Sequence, residues 1–189
     1  MEATALPARD RILVTAHDLF YRDGIRATGV DRLIAESGVA KLTFYRHFAS
    51  KDDLVRAFLD YRHERWMAWF VDALGRHGAV PGGGLAPLAP ALAEWLADPA
   101  FRGCAFINSV AEVGGALPDA GAISRRHKQD MEQVIAGLLP PTAEGRAAAE
   151  AAALAVDGAI VRAQMGDVKA AVGGLRQLLR AIDPVVAPA

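Results

Sequence analysis

Between residues 10 and 22 the apolar positions Ile12, Ala16, Leu19 and Phe20 recur at three- and four-residue spacing, with Leu13 beside them, and Gly24 follows as a stop. That periodicity predicts a helix over Asp10 to Arg22 with one apolar stripe. A second helix is predicted from Gly29 to Ser37, capped by Thr28, with Leu33 and Ile34 turned inward and Gly38 taking the left-handed conformation that ends it. The turn Ser37-Gly38-Val39 leads into a third helix, Lys41 to Phe48. There Phe44 and Phe48 stand one turn apart on the packing side and leave Lys41, Thr43, Tyr45, Arg46 and His47 for other faces.

Ser50 and Asp53 form a capping box, and Asp52 and Asp53 place negative charge in the first turn of a long fourth helix. Its apolar positions run through Leu54, Phe58, Tyr61, Trp66, Trp69 and Leu74 to Gly75 and Gly78, and Pro81-Gly82-Gly83-Gly84 is the clearest loop. Five further helical patterns follow: Leu85 to Ala97, Phe101 to Gly114, Pro118 to Leu139, Thr142 to Met165 and Val168 to Ile182. Pro99, Gly114-Gly115, Pro140-Pro141 and Gly166 separate them. No segment alternates as a strand, and no repeat period appears. The expected fold is all-α with about nine helices, ending in a frayed tail, Pro184 to Ala189.

Composition narrows the class. With 189 residues, 52% of them apolar, the chain can bury a substantial core. The most hydrophobic stretch, Ala143 to Met165, carries Glu144, Arg146, Glu150, Asp157 and Arg162, too many charges for a lipid-facing span. The opening MEATALPARDR has no basic flank, apolar block and cleavage site of an export signal, and the one cysteine, Cys104, cannot form an intramolecular disulfide. A cytoplasmic protein is therefore expected.

A net charge of −1 excludes a protein that grips nucleic acid with its whole surface. Arg26, Arg32, Lys41, Arg46 and Lys51 nevertheless stand against only Asp31 and Glu36 in that stretch, a local balance of +3. A helix-turn-helix needs a small residue at the turn, a compact apolar underside and a polar outward face. Gly38, Val39 and Phe44 meet the structural half. Lys41, Thr43, Tyr45, Arg46, His47 and Lys51 offer the cations and hydroxyls that reach phosphates and base edges.

From Arg11 to Leu59 the chain resembles the DNA-binding domain of the TetR family of bacterial transcriptional regulators. The resemblance rests on ILVTAHDLFYRDG, ATGVDRLIAESGV and KLTFYRHFASKDDLVRAFL, with the Thr-Phe-Tyr-Arg-His-Phe run most diagnostic. It implies a DNA-binding domain over residues 1–50 and a helical regulatory domain over 51–189. By position, Thr28 would cap the second helix and approach a phosphate. Lys41, Leu42, Thr43 and Arg46 would face the groove, and Tyr45, His47 and Lys51 would hold the backbone. Gly29 and Ala40 depart from the family's usual hydroxyl residues; an alanine at the third helix's N-cap weakens its start by about 1 kcal/mol. Leu42 can touch a thymine methyl group.

The same resemblance implies a homodimer formed by the last two helices, a palindromic double-stranded operator and a small apolar or amphipathic effector, most simply one that releases a repressor. Candidate effector-binding residues are Trp66, Trp69, Phe70, Trp95, Phe101, Cys104, Phe106, Met131 and Met165, with Asn108, Glu112, His127 and Asp157 to orient a ligand. For each single aromatic, core packing is the commoner explanation, because cores and pockets use the same residues. No metal motif, phosphate loop or catalytic constellation appears, so neither a cofactor nor an enzymatic activity is expected. The alternatives are a helical adaptor that has lost DNA binding, or an all-α enzyme using Glu112, His127 or Asp157 in its C-terminal pocket.

Overall fold

The computed structural model describes residues 6–185. Residues 1–5 of the N-terminal segment and residues 186–189 of the expected frayed tail lie outside that range. The described residues form helices α1 (Ala8–Asp23), α2 (Val30–Ser37), α3 (Lys41–His47), α4 (Lys51–Arg76), α5 (Leu88–Leu96), α6 (Ala105–Val113), α7 (Pro118–Ala136), α8 (Ala143–Gln164) and α9 (Val168–Ile182), with no strand. None of them is long and apolar enough to cross a membrane.

Helix ends depart from the periodic reading where backbone chemistry overrides it. Pro87 restricts Ala86 before it, and α5 begins at Leu88 instead of Leu85. At Gly103 the backbone turns with φ 87°, which holds the start of α6 back to Ala105. Helix α7 stops at Ala136 as the next amides bond three residues back, Leu138 to Ile135 and Leu139 to Ala136. Thr142 and Asp167 cap α8 and α9 through their side-chain oxygens.

The chain divides into two compact units. Among the described residues, one contains 6–64 together with Ala105–Arg125; the other contains Arg65–Cys104 and 126–185. Helices α4 and α7 pass from one unit into the other, and α6 belongs to the first.

In the first unit, α1 packs on α2 and α3. Ile12, Leu33, Phe44, Leu54 and Leu59 are fully buried, and the Phe20 and Phe58 rings meet edge to face at 5.4 Å. In the second, α8 lies along α9, and α5 also packs on α9. Buried Ala149, Ala152 and Ala159 on α8 let its backbone approach closely, and Ala171, Leu175 and Leu179 form the apolar stripe of α9.

Candidate nucleic-acid interface and ligand seat

Helix α3 is short and anchored from below. Gly38 ends α2 at φ 62°, in the left-handed region where a side chain is costly, so the chain reverses within three residues. Phe44 is completely buried, its ring 5.4 Å from Tyr45 and 6.4 Å from Phe48. Arg11 from α1 donates to the Ser37 carbonyl at 3.2 Å, tying down the end of α2. Ala40 gives α3 no side-chain cap.

The opposite face is open. Leu42 is 74% exposed and Tyr45 44%, and Lys41, Arg46 and His47 are exposed as well, while Thr43 is half-buried. Among the described residues, the side chains of Lys41, Arg46 and His47 make no ion pair or hydrogen bond. Groups left this way keep their full capacity for phosphates and base edges.

Two expected contacts lie elsewhere. Thr28 is wholly buried, and its hydroxyl donates to the Gly24 carbonyl at 2.8 Å, so its side chain faces inward; Gly29, with no side-chain bond, occupies the N-cap of α2. Lys51 is half-buried and donates to the Ile25 carbonyl at 2.5 Å, and its burial lowers its pKa. Arg32 also leaves the free cationic set: it pairs with Asp23 at 2.8 Å and Glu36 at 2.7 Å. Asp23, held by Arg22 and Arg32, has its pKa lowered to about 2. The free positive charge near the turn is thus narrower than composition implies: among the described residues it rests on the exposed side chains of Arg26, Lys41 and Arg46, Arg26 engaging Glu112 only through its backbone N–H.

Glu112, expected in an effector pocket, serves the first unit instead. From α6 its Oε2 accepts the Arg26 backbone N–H at 2.9 Å. A Cβ at Gly24, where φ is 93°, would stand 3.1 Å from the same carboxylate, so only glycine gives this approach without strain. Glu112 and Lys51 together hold the segment 24–26 that joins α1 to α2. The sequence-level signal was only a glycine stop after α1; its partner lies 86 positions away.

In the second unit, Trp66 is the centre of an aromatic cluster. Phe70 stacks on it at 4.8 Å, His127 approaches edge-on at 5.0 Å and Trp95 at 5.6 Å; Trp69 stands 5.9 Å away, and Phe101 meets Trp95 at 5.1 Å. Trp66 and His127 are buried, whereas Trp69, Trp95 and Phe101 are half-buried. The Trp66 indole N–H is buried without an acceptor among the described residues. Such a donor pays its desolvation in full, about 1–3 kcal/mol, and marks a place where an acceptor would be gained.

The remaining candidates separate. Cys104 and Met131 are buried in the second unit. Asp157 receives the Lys128 ammonium at 2.5 Å. Met165 is 81% exposed at the end of α8, away from any enclosed seat. Phe106 and Asn108 lie on α6 in the first unit, Phe106 buried and Asn108 half-buried. Glu112 and Asp157 are each committed to a structural partner, and the polar trio of the enzyme alternative is not assembled within either unit.

The family model for bacterial regulatory proteins of the tetR family matches residues 12–58. The transcriptional regulator UidR of Escherichia coli K12 is 31% identical over 70 residues, a match spanning 37% of this chain and 36% of UidR. The solved structure of SCO4454, a TetR-family transcriptional regulator from Streptomyces coelicolor, is 33% identical, with 93% of this chain and 95% of that one covered at a TM-score of 0.78. The chain belongs to the TetR family. For a TetR-family chain the relatives are transcriptional regulators and not enzymes, and the fold has an N-terminal helix-turn-helix followed by a helical domain. The multidrug binding protein EbrR, solved with malachite green, shares the fold at a TM-score of 0.70 and 21% identity, with 94% of this chain and 98% of EbrR covered.

Proposed function

We propose that this TetR-family protein is a repressor that binds a palindromic operator as a homodimer and is released by a small apolar or amphipathic effector. The observation that carries the DNA half is α3: exposed Lys41, Leu42, Tyr45, Arg46 and His47 on a helix whose underside is fixed by buried Phe44. Arg46 and Lys41 would take phosphates or guanine edges, Leu42 a thymine methyl, and Tyr45 and His47 the backbone. Thr43, half-buried, would meet the groove with its hydroxyl. Residues 1–50 act as the reading domain and 51–189 as the regulatory one, in the cytoplasm where the operator is.

The homodimer is read from α8 and α9. Leu154 is 69% exposed and Leu178 53%, apolar positions that a second copy would cover in a four-helix bundle. Two-fold symmetry would set the reading helices about 34–36 Å apart, matching successive major grooves.

The effector half is read from the Trp66 cluster. EbrR supports a ligand seat in this fold, since it was solved with an aromatic dye. Trp69, Trp95, Phe101, Phe70, Met131 and Cys104 would supply the apolar surroundings. The unpaired Trp66 N–H, with His127 beside it, would meet a ligand acceptor. Helix α4 would carry the change to the reading helices, because it runs unbroken from the cluster to Lys51. Glu112 and Lys51 would set the position of the α1–α2 connection. A differential affinity of a few kcal/mol between the two states is enough to move most of the population.

Titration of the purified protein into its own upstream DNA, at several salt concentrations and against a random duplex, tests the reading. Specific binding at least about 10³ tighter than to random sequence is expected, with a steep salt dependence. Equal affinity for the two duplexes would overturn it. Malachite green, added to the preformed complex, is the first effector probe.

A further inference from the structure

A cleft of about 360 Å³ opens in the second unit, between the approach to α5 and the last turns of α9. Exposed Ala86 and half-buried Pro90 give it its accessible apolar wall over a floor of buried Leu85, Ala89 and Leu179, and the exposed Arg176 and Arg180 line it as well. It is separate in its residues from the Trp66 cluster, and nothing in the DNA-binding reading uses it.

Its charges are unequally committed. Asp183, which lines one end, is buried, and its Oδ2 accepts the Leu85 amide at 2.6 Å while Oδ1 accepts the Val185 amide at 3.0 Å. Gly84, at φ 96°, makes room for it: a Cβ there would come within 2.7 Å of Oδ2. The carboxylate is therefore a structural clasp between the loop before α5 and the end of α9. Arg176 and Arg180 are exposed, and among the described residues neither has an ion-pair partner, Asp183 included. Elsewhere in this unit Arg76 is engaged by Glu94 and Lys128 by Asp157. The cleft thus presents two free guanidiniums one turn apart above an apolar surface.

We propose that this cleft binds a small amphipathic carboxylate, its chain against Ala86 and Pro90 over the buried floor of Leu85, Ala89 and Leu179, and its head between Arg176 and Arg180. Guanidinium forks match a planar carboxylate in two parallel hydrogen bonds, and the apolar floor selects a hydrocarbon tail over a bare anion. The volume suits a small ligand, at the lower end of the usual range for such sites of about 300–1,000 Å³. The flank stays accessible in the proposed dimer: at 3.6 residues per turn, Arg176 and Arg180 lie about 160° around α9 from Leu178.

Decanoate, titrated calorimetrically below its micelle concentration into the full chain, is the probe, with 1-decanol as its uncharged counterpart. Saturable binding of one decanoate per chain is expected, at least about tenfold tighter than decanol. The double variant R176Q/R180Q, at exposed positions, should weaken decanoate at least about tenfold with an unchanged melting temperature, and Ala86→Trp at the mouth should block it. No saturable binding, decanol binding as tightly as decanoate, or full affinity in R176Q/R180Q would each overturn the proposal. Loss of binding in Trp95→Ala with retention in R176Q/R180Q would do so as well, by moving the ligand to the aromatic cluster.

Discussion

Helix α3 and the cluster around Trp66 leave opposite parts of their chemistry unsatisfied. In α3 the apolar side is complete, with Phe44 buried and Phe48 nearly so, while the cations on the other side have no partner among the described residues. In the cluster the rings satisfy one another and one polar atom, the Trp66 N–H, is stranded. A surface with spare cations on a rigid base suits a large polyanion that arrives from outside. A half-buried apolar nest with one spare donor suits a small molecule that is enclosed. Helix α4 follows α3 in the chain and carries Trp66, Trp69 and Phe70 of the cluster.

That contrast can be broken first at its foundation. Phe44→Ala should remove about 3–5 kcal/mol of stability, seen as a lowered thermal midpoint with loss of operator binding, because the deleted ring leaves a cavity under α3. Phe44→Leu, keeping most of the volume, should retain binding.

Changes on the outer face should act on DNA alone. Lys41→Ala and Arg46→Ala should each weaken operator binding by about 1–3 kcal/mol without altering the melting temperature. A phosphate contact would also reduce the salt slope by about one, and anisotropy titrations at four salt concentrations separate that from base reading.

Trp66→Phe sharpens the other half of the comparison. It removes an N–H that has no acceptor among the described residues but also one ring of a buried indole, so the relieved donor, about 1–3 kcal/mol, and the cavity oppose each other. The substitution should cost less stability than Phe44→Ala, while any ligand that used the donor should lose affinity.

Glu112→Ala tests a contact outside both regions. Loss of a charged acceptor for the Arg26 amide should cost about 1–3 kcal/mol. Operator affinity should fall with it, while binding to the Trp66 cluster is retained; Glu112→Gln, which keeps an acceptor, should fall between.

The smallest effect is with pH. Asp23 has its folded-state pKa lowered to about 2, chiefly by its hydrogen bond to Arg22 and also by Arg32. A depressed carboxylate stabilises above its unfolded value, 3.8, and that contribution fades as pH falls towards 2. Denaturant midpoints should therefore fall less steeply between pH 4 and 2 in Asp23→Asn than in the unaltered protein. The exposed site keeps the difference small.

What the residue order determined on its own is the helical grammar of the first sixty positions. The spacing of Ile12, Ala16 and Leu19, the stop at Gly38, the Phe44–Phe48 pair and the Ser50–Asp53 capping box are all local. Local periodicity and local capping need no knowledge of the rest of the chain. In the box, Ser50 Oγ indeed accepts the Asp53 amide at 3.1 Å and donates to its carboxylate at 2.8 Å. Even the start of α5 could be read locally, from Pro87.

Tertiary structure decided the rest, because burial and long-range pairing are properties of neighbours brought from far along the chain. Thr28 looked like a cap and a phosphate contact, but the fold turned its hydroxyl to Gly24. Glu112 looked like a ligand group on α6 and became the clasp of a segment more than eighty residues earlier. Met165 shared an apolar character with Met131, yet one is exposed and the other sealed. Trp66, Trp95, Phe101 and His127 could not be assembled from spacing, since three different stretches of chain supply them. An apolar or ionisable side chain carries the same chemistry wherever it stands, and only its three-dimensional surroundings determine whether that chemistry is spent or left available.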